Sequence, residues 1–470
     1  MAERSFAAEV QELRLGAGEE FRGEGILAVT KALLQSGVAY VGGYQGAPIS
    51  HLMDVLGDAQ DILDELDVYF ENSASEATAG AMLGASVHYP LRGAVTFKST
   101  VGFNVASDAL ANLASGGVRG GALVIIGEDY GEGSSIMQER THAFAMKSQM
   151  WLLDPRPDLT AIVDMVEKGF ELSEVSNTPV ILELRLRSCH LHGSFIAKDN
   201  RRPSLTVREA VEHPERDLSR IVLPPMNFAH EQEKLSKRWP AAVDFITKHQ
   251  LNEFVKEKDR DFGIILQGGL FNNVNRALEL LGLSDPYGDT TVPLYVMNVT
   301  YPVIDEEVVR FCEGKRAVLL VEEGQPDYIE QNIQAILRRQ GATATLHGKD
   351  LLPVAGEYTP AAVTRGIHAF LTRYAPELLE GTTPPAVTLP HDDPRSPFAP
   401  RIKPELVQGR PPGFCTGCPE RPIFAALTLA QREVGEHYVS ADIGCHLFSI
   451  NPPFNIGATT MGYGLGSAAA

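Results

Sequence analysis

The chain has 470 residues and a formal net charge of −19 at pH 7. Its 44% hydrophobic and 21% charged residues are typical of a folded globular protein. The negative charge disfavours non-specific binding of nucleic acid and docking on anionic lipid, because both need a basic face, so we expect neither nucleic acid nor a membrane as a partner.

Targeting signals and a disulfide framework are not expected either. The first residues are polar, and no stretch reaches the roughly 18 uninterrupted apolar residues of a membrane span, so we predict neither a signal peptide nor a transmembrane helix. Five cysteines are too few to stabilise a chain of this length through disulfide bonds, which favours a reducing compartment. The predicted localisation is cytoplasmic.

Short apolar runs alternate with helical patterns in residues 1–196, and a polar or glycine-bearing segment follows each run. The runs predicted as strands cover residues 38–42, 68–70, 93–97, 123–126 and 180–186. Most of them lack strict alternation, which is typical of strands covered by helices on both faces. The last run alternates at its end, as an edge strand does. Together they predict a doubly wound parallel sheet, whose carboxyl edge gathers the segments that follow the strands.

The middle of the chain predicts a connector and a second α/β domain. Residues 197–255 are charge-rich and contain prolines, which predicts a connector with one or two helices. Residues 256–375 repeat the alternation of strands and helices. Their predicted strands cover 262–266, 292–297 and 317–321, and their clearest helical face consists of Ile329, Ile333, Ile336 and Leu337.

The C-terminal part begins with a proline-rich linker. Residues 376–410 are predicted to be extended and semi-rigid because this stretch is rich in proline. Residues 411–470 contain one predicted helix, 422–434, and one predicted strand, 438–441. A parallel α/β domain needs several strands to bury its sheet, so this last segment is expected to be an incomplete domain.

Three of the five cysteines lie in this last segment, at Cys415, Cys418 and Cys445. Thiolates three positions apart on a turn can bind one metal centre together with a third on a nearby loop. A zinc site usually has a second Cys-x-x-Cys, whereas a [4Fe–4S] cluster also accepts two close ligands and two distant ones. The remaining alternative is that these cysteines are small buried side chains.

Glu76 is the candidate acid–base residue of the first domain. With Ser73 it has the spacing of a capping box, in which both side chains satisfy backbone donors at a helix start. The helix that follows is rich in Ala and Gly on one face, so another backbone can pack close to it. A carboxylate buried there has a raised pKa and can share a proton. Both roles are compatible.

Glycine-bearing turns and two histidines complete the candidate residues. The loops 44–50 and 127–135 can present backbone N–H groups to a ligand, although simple turns explain them equally well. Arg140 is either a ligand-binding cation or a surface charge, and His190 and His192 are interpreted as structural or exposed.

Several segments resemble the 2-oxoacid:ferredoxin oxidoreductases, most of all the indolepyruvate ferredoxin oxidoreductase branch. They are residues 71–86, 98–108, 127–140, 263–269, 300–302, 321–323, 411–421 and 441–445, in the order of the family. The resemblance implies an α/β, multi-domain, thiamine-diphosphate-binding fold with doubly wound parallel sheets. Residues 1–196 would be the pyrimidine-type domain and 256–375 a transketolase C-terminal-like domain. Residues 411–470 would begin a pyrophosphate-binding domain.

The resemblance also assigns roles to residues. Glu76 would activate thiamine diphosphate through its aminopyrimidine ring, and Cys415, Cys418 and Cys445 would be ligands of a [4Fe–4S] cluster. The other cofactor-binding residues would be Ser99, Thr100, Asn104, Asp442 and Gly444. The substrate-binding residues would be Tyr44, Gln45, Gly46, Pro48, Ser134 and Arg140.

The activity implied is oxidative decarboxylation of a 2-oxoacid, with indolepyruvate or another arylpyruvate as the expected substrate. The acyl group would pass to coenzyme A, and electrons would pass through the cluster to ferredoxin. The implied cofactors are thiamine diphosphate, the [4Fe–4S] cluster and Mg²⁺, and the expected assembly is a homodimer or a hetero-oligomer.

The chain departs from the family at several places. Thr416 and Glu420 stand near positions where the family often has Pro and His. The fourth cluster cysteine and the Gly-Asp-Gly stretch that holds magnesium and diphosphate lie downstream of Cys445 in the family and are not found in this sequence. One alternative is therefore a truncated fragment or subunit that is inactive alone. The other is a non-redox thiamine-diphosphate decarboxylase, which would not need the three cysteines.

Overall fold

The computed structural model describes residues 5–130, 141–214, 218–380, 413–414, 416–441, 445–457 and 459–460. Only the backbone is described at 445, 459 and 460. These residues form two compact units, a larger one of residues 5–380 and a smaller one of residues 413–460. The predicted linker lies outside the described residues from 381 onward.

The larger unit alternates strands and helices along its whole length. Its strands are β1 (Glu20–Glu24), β2 (Tyr40–Gly43), β3 (Tyr69–Asn72), β4 (Gly93–Lys98), β5 (Ala122–Glu128), β6 (Trp151–Leu153), β7 (Val180–Arg185), β8 (His192–Ile196), β9 (Glu253–Val255), β10 (Phe262–Gln267), β11 (Leu294–Met297), β12 (Val299–Tyr301), β13 (Ala317–Val321) and β14 (Thr345–His347). Its helices are α1 (Gly25–Gln35), α2 (His51–Asp58), α3 (Gln60–Leu66), α4 (Glu76–Met82), α5 (Ala85–His88), α6 (Ser99–Gly116), α7 (Thr141–Ser148), α8 (Leu159–Ser176), α9 (Leu186–Cys189), α10 (Val207–Glu212), α11 (Met226–Glu233), α12 (Trp239–Lys248), α13 (Phe271–Leu280), α14 (Asp305–Cys312), α15 (Tyr328–Gln340) and α16 (Pro360–Tyr374). Among the described residues, none of the helices is both long and apolar enough to cross a membrane.

Seven strands form the first sheet, in the order β12-β6-β7-β5-β4-β2-β3. All neighbouring strands are parallel except β12, which runs antiparallel to β6. The central strands β4, β5 and β7 are buried along their whole length, as expected for strands covered on both faces. From β2 the chain adds β3 on one side and β4, β5 and β7 on the other, so the predicted doubly wound sheet is confirmed.

The predicted edge position of residues 180–186 is wrong. These residues form β7, which lies inside the sheet between β5 and β6. The alternation of Glu183, Leu184 and Arg185 suggested a solvent-facing strand, but both charged side chains are buried. Arg185 pairs with acidic side chains in the interior, and this pairing offsets the desolvation of its charge.

The second sheet has the order β14-β13-β10-β11-β9, with β9 antiparallel to β11 and the other neighbours parallel. The strands predicted at 262–266, 292–297 and 317–321 are confirmed as β10, β11 and β13. Ile329, Ile333, Ile336 and Leu337 are the buried residues of α15, so the predicted helical face is confirmed.

Asn298 joins the two sheets of the larger unit. It is the single residue between β11 of the second sheet and β12, which forms an edge of the first sheet. Its Oδ1 accepts a hydrogen bond from Arg156 N at 3.0 Å, and its carbonyl oxygen accepts one from Asp154 N at 2.8 Å. These bonds fix the chain around Asp154, where the two sheets meet.

The smaller unit contains α17 (Arg421–Val434), β15 (Ser440–Ala441), β16 (Thr459–Thr460) and a 3-10 segment, Cys445–Ile450. The predicted helix is confirmed, and the predicted strand is shorter than expected. Phe414 packs against Phe424, Phe448 and Phe454, with ring centroids 5.1, 5.9 and 5.6 Å away. This aromatic cluster is the apolar centre of the described part of the unit.

Candidate functional site

The winding of the first sheet reverses between β2 and β4. Open α/β sheets bind ligands outside the carboxyl ends of the strands at such a point. The segments that follow these two strands are residues 44–50, here called the substrate loop, and the start of α6. The predicted substrate- and cofactor-binding residues that they carry are Tyr44, Gln45, Gly46, Pro48, Ser99, Thr100 and Asn104. The fold therefore brings these residues to one edge of the sheet.

The substrate loop lies directly against the ends of β4 and β5. Lys98 Nζ donates a hydrogen bond to Ala47 O at 2.8 Å. A Cβ at Gly46 would lie 2.7 Å from Lys98 Cβ, so this close approach requires glycine. A Cβ at Gly127, near the end of β5, would lie 2.9 Å from Pro48 Cδ. Two glycines thus allow the loop to cover the sheet edge tightly.

Two polar residues begin and anchor the substrate loop. Tyr44 N donates to Thr96 O at 2.9 Å, which continues the pairing of β2 with β4. Gln45 Nε2 donates to Asp54 Oδ1 at 3.0 Å and so connects the loop to α2. The start of the loop is therefore held by both the sheet and α2.

A chain of hydroxyl groups connects the start of α6 with the end of β5. The Oγ atom of Ser99 lies 2.6 Å from Thr141 Oγ1, and both residues are buried. Thr141 Oγ1 donates to Glu128 Oε1 at 2.9 Å, and the hydroxyl of Tyr130 donates to the same oxygen at 3.1 Å. The Ser99 hydroxyl is therefore part of a buried hydrogen-bond chain, and its predicted role in cofactor binding stays a prediction.

Thr100 and Asn104 line a surface depression of about 310 Å³ between α6 and α7. Its other residues are Ser99, Phe103, Ser107, Ala143, Phe144 and Lys147. Phe103 stacks on Phe144 with a centroid distance of 4.2 Å. Aromatic walls with a few polar groups are the usual lining of a small-molecule site, so this depression is a candidate binding pocket.

Glu76 is the first residue of α4 and is only 4% exposed. The predicted capping box of Ser73 and Glu76 is wrong, because Ser75 is the N-cap and pairs with Thr78. Ser75 Oγ accepts from Thr78 N at 3.4 Å, and Thr78 Oγ1 accepts from Ser75 N at 3.0 Å. The Glu76 carboxylate is therefore not used for capping, and its burial raises its pKa.

The helix that begins at Glu76, α4, packs closely on α6. A Cβ at Gly80, one turn after Glu76, would lie 3.3 Å from Ala106 Cβ and 3.4 Å from Ala109 Cβ. The prediction that the Ala- and Gly-rich face of this helix allows another backbone to come close is confirmed by this packing. A carboxyl group with a raised pKa holds its proton more tightly than an exposed one and can act as an acid–base group.

A buried ion cluster lies where the two sheets of the larger unit meet, and sequence reasoning missed it. Arg185 Nη2 lies 2.8 Å from Asp154 Oδ2 and 3.5 Å from Glu183 Oε1, and Nη1 pairs with Glu323. All four side chains are less than a tenth exposed. The signal in the sequence was the presence of two charged residues in an otherwise apolar strand.

The acidic members of this cluster hold their protons more tightly than free carboxyl groups. Burial raises the pKa of Glu183 well above its ordinary value, and the nearby charges of Glu128 and Asp154 raise it further. Burial also raises the pKa of Asp154 and of Glu323, while the Arg185 charge opposes both shifts. A cavity of about 90 Å³ lies beside the cluster and is lined by Glu128, Arg185 and Glu323 among others.

The three candidate cluster cysteines are described to different extents. Cys418 is half-buried and not disulfide-bonded, and it lies in the turn before α17. Cys445 begins the 3-10 segment, and its side chain lies outside the described residues. Cys415, Asp442, Gly444, Ser134 and Arg140 lie outside the described residues altogether. The roles predicted for all of these residues stay predictions.

The architecture of the chain is that of the thiamine-diphosphate-binding α/β folds. A solved 2-oxoglutarate:ferredoxin oxidoreductase from Magnetococcus marinus superposes with a TM-score of 0.58 at 16% sequence identity. The alignment covers 74% of this chain and 65% of that one. At this identity the similarity establishes a shared fold, and the predicted fold class is confirmed. No protein-family model matches the chain.

The sequence relatives are subunits of one oxidoreductase. The indolepyruvate oxidoreductase subunit IorA of Methanothermobacter marburgensis is 29% identical over 97% of this chain and 69% of its own length. The IorA subunit of Thermococcus kodakarensis is 27% identical over 93% of this chain and 63% of its own length. The predicted resemblance to the indolepyruvate branch is therefore confirmed, and with it the class of oxidoreductase. This chain spans about two thirds of the length of these curated relatives.

Proposed function

We propose that this chain carries out, as part of a thiamine-diphosphate enzyme, the oxidative decarboxylation of a 2-oxoacid. The relatives named indolepyruvate oxidoreductase subunits support indolepyruvate or another arylpyruvate as the substrate. The neighbouring structure, a ferredoxin oxidoreductase with coenzyme A bound, supports coenzyme A and ferredoxin as partners. The observation that carries the proposal is Glu76, a buried carboxyl group at a helix start beside the switch-point strands.

The described residues fit a thiamine diphosphate pyrimidine ring. Burial raises the pKa of Glu76, which favours exchange of a proton with a ring nitrogen. Asp442 and Gly444, which are also predicted to bind the cofactor, lie outside the described residues, so we assign no step to them. When bound, thiamine diphosphate supplies the electron sink for decarboxylation, and an iron–sulfur cluster accepts electrons one at a time.

In this proposal, Glu76, the substrate loop and the depression beside α6 each have a different role. Glu76 holds the proton that the cofactor ring exchanges. The substrate loop, fixed on Lys98 and over Gly127, closes the carboxyl edge of the sheet against water. The depression beside α6 offers the stacked rings of Phe103 and Phe144 as an apolar wall for an aromatic 2-oxoacid. Its Lys147 supplies a cation that suits the carboxylate of the substrate.

The smaller unit supports a cluster built from the three cysteines. Phe414 directly precedes Cys415, and Phe448 follows Cys445 by three residues. The rings of these two phenylalanines are 5.9 Å apart, which supports a common site for the cysteines that follow Phe414 and precede Phe448 in the sequence. Thiolates are the ligands that iron–sulfur clusters take, and these cysteines would supply three of them.

The test replaces Glu76 by Gln in the enzyme and measures 2-oxoacid-dependent reduction of a viologen dye with thiamine diphosphate, Mg²⁺ and coenzyme A present. We expect turnover to fall by about 10²-fold or more, the usual contribution of a positioned acid–base group, while the circular dichroism spectrum stays unchanged. Glu71→Gln is the matched control, because Glu71 is an exposed carboxylate on the preceding strand. Equal turnover in Glu76→Gln and in the parent enzyme would remove Glu76 from the mechanism. Decarboxylation without any dye reduction would favour a non-redox thiamine enzyme instead.

A further inference from the structure

Three side chains that could bind a metal ion lie together near the C-terminal end of the substrate loop. Glu24, His51 and His190 each offer a ligand atom, and these atoms all lie within 4.8 Å of one another. Glu24 is buried, His51 is partly buried and His190 is exposed, so the group opens to solvent on one side. Neither the proposed thiamine chemistry nor the cysteine cluster uses these residues.

The fold holds Glu24 and His190 together firmly. Glu24 ends β1, which pairs with β8 so that Glu24 faces His192 across the ladder. Gly25 N donates to Leu191 O at 2.7 Å. A Cβ at Gly25 would lie 2.0 Å from Ser188 O, so α9 contacts the start of α1 at a distance that requires glycine. As a result, His190 Nδ1 lies 2.5 Å from Glu24 Oε1.

His51 completes the group from a third element. It is the first residue of α2 and follows the substrate loop directly. Its ring stands edge-on to the ring of His190 with a centroid distance of 5.5 Å. Its Nδ1 atom is buried and has no hydrogen-bond partner among the described residues. A buried ring nitrogen without a partner is unfavourable, and a bound cation would satisfy it.

We propose that Glu24, His51 and His190 form a divalent metal site of the zinc type at the start of α2. Two imidazoles and one carboxylate are a set that zinc takes when one position is left for water. Imidazole ligands favour zinc over magnesium and calcium, which prefer oxygen. The bound ion takes the place of the hydrogen bond between His190 and Glu24 and ties α2 to the end of β1 and to the segment before β8. It thereby fixes the end of the substrate loop.

The experiment measures Zn²⁺ binding by the full chain after chelator treatment, in competition with a chromophoric chelator. Cys415, Cys418 and Cys445 are replaced by Ser in every sample, because thiolates bind zinc on their own. We expect one equivalent of Zn²⁺ to bind this parent protein. His51→Asn and His190→Asn each weaken the affinity at least ~10-fold, since loss of even an outer-shell partner has this effect.

His192→Asn is the matched control, because His192 is exposed and lies two residues from His190. It should bind Zn²⁺ like the parent protein. If the parent protein, with its three C-terminal cysteines replaced by Ser, does not bind one equivalent of Zn²⁺, the proposal is overturned. This result does not depend on whether the histidine variants fold. Undiminished affinity in His190→Asn, with an unchanged circular dichroism spectrum, overturns it as well. The readout is metal binding alone, so it does not depend on the proposed thiamine chemistry.

Discussion

Arg185 and Asp154 form an ion pair in the interior of the larger unit, with 2.8 Å between Nη2 and Oδ2. The guanidinium is 9% exposed and the carboxylate 1%. Arg185 comes from a central strand of the first sheet, whereas its other partner, Glu323, follows β13 of the second sheet. A single cation therefore compensates carboxylates from both sheets at the point where they meet.

Replacing Arg185 by Met should destabilise the larger unit by about 3–5 kcal/mol, because it leaves buried carboxylates without their cation. Urea denaturation followed by circular dichroism measures the effect. Arg187→Met is the control, since Arg187 is half exposed where it pairs with Glu357. An exposed pair contributes about 0–1 kcal/mol. Equal losses in the free energy of unfolding for the two variants would mean that the buried ion cluster contributes no more to stability than an exposed ion pair.

Glu183 should be replaceable by Gln, because burial and the nearby charges of Glu128 and Asp154 raise its pKa and so favour its neutral form. A raised pKa means that the folded state binds the proton more tightly than the unfolded state. The stability that this proton contributes is complete below the unfolded pKa of about 4.3 and is lost as pH rises through the folded value. Relative to the parent protein, Glu183→Gln should therefore gain stability as pH rises from 5 toward 9. Denaturation at a series of pH values checks this, and a difference that does not change with pH contradicts it.

Cys418→Ser should lower the iron content of anaerobically purified protein, because a thiolate ligand of the proposed cluster is removed. Iron and acid-labile sulfide analysis measure the loss. Cys312→Ser is the matched control, since Cys312 is buried in α14 of the larger unit and burial raises its pKa to about 12. Retention of full iron content by Cys418→Ser would contradict the assignment.

The sequence predicted most strands of both sheets and the double winding of the first, because strands buried on both faces are continuous apolar runs. It missed the short strands β6, β9, β12 and β14. It did not predict that β12, which follows β11 of the second sheet, joins the first one. Such a pairing depends on strand register and on contacts between residues far apart in the sequence, which a local sequence pattern does not reveal. The same limit explains the error at β7. The charges of Glu183 and Arg185 indicated solvent, and only the three-dimensional structure reveals their partners.

The candidate site was predictable where glycine and helix patterns determine it, as at the substrate loop and at Glu76. The N-cap of α4 was not, because Ser73 and Ser75 both precede Glu76 and local sequence does not determine which one caps the start of the helix. The group of Glu24, His51 and His190 was not predictable either. Its members lie far apart in sequence and come together through the pairing of β1 with β8.

The packing of α4 on α6 leads to the last prediction. A Cβ at Gly80 would already lie 3.3 Å from Ala106 Cβ, so Gly80→Leu must push the two helices apart. We expect it to destabilise the larger unit by about 1–3 kcal/mol, the usual cost of overpacking. Because α4 begins at Glu76, its displacement also exposes that carboxylate and lowers its pKa toward the ordinary value. Thiamine diphosphate should then bind more weakly, which calorimetric titration measures.

Gly57→Leu is the matched control for this prediction. Gly57 lies in α2, is exposed, and has no heavy atom within 4 Å of an added Cβ. Leucine is a better helix former than glycine, so this variant should be neutral or more stable by up to about 1 kcal/mol. If Gly80→Leu loses stability but keeps the cofactor affinity of Gly57→Leu, then α4 does not hold Glu76 toward the cofactor. Weaker binding in Gly80→Leu alone would connect the close helix contact to the acid–base residue at its end.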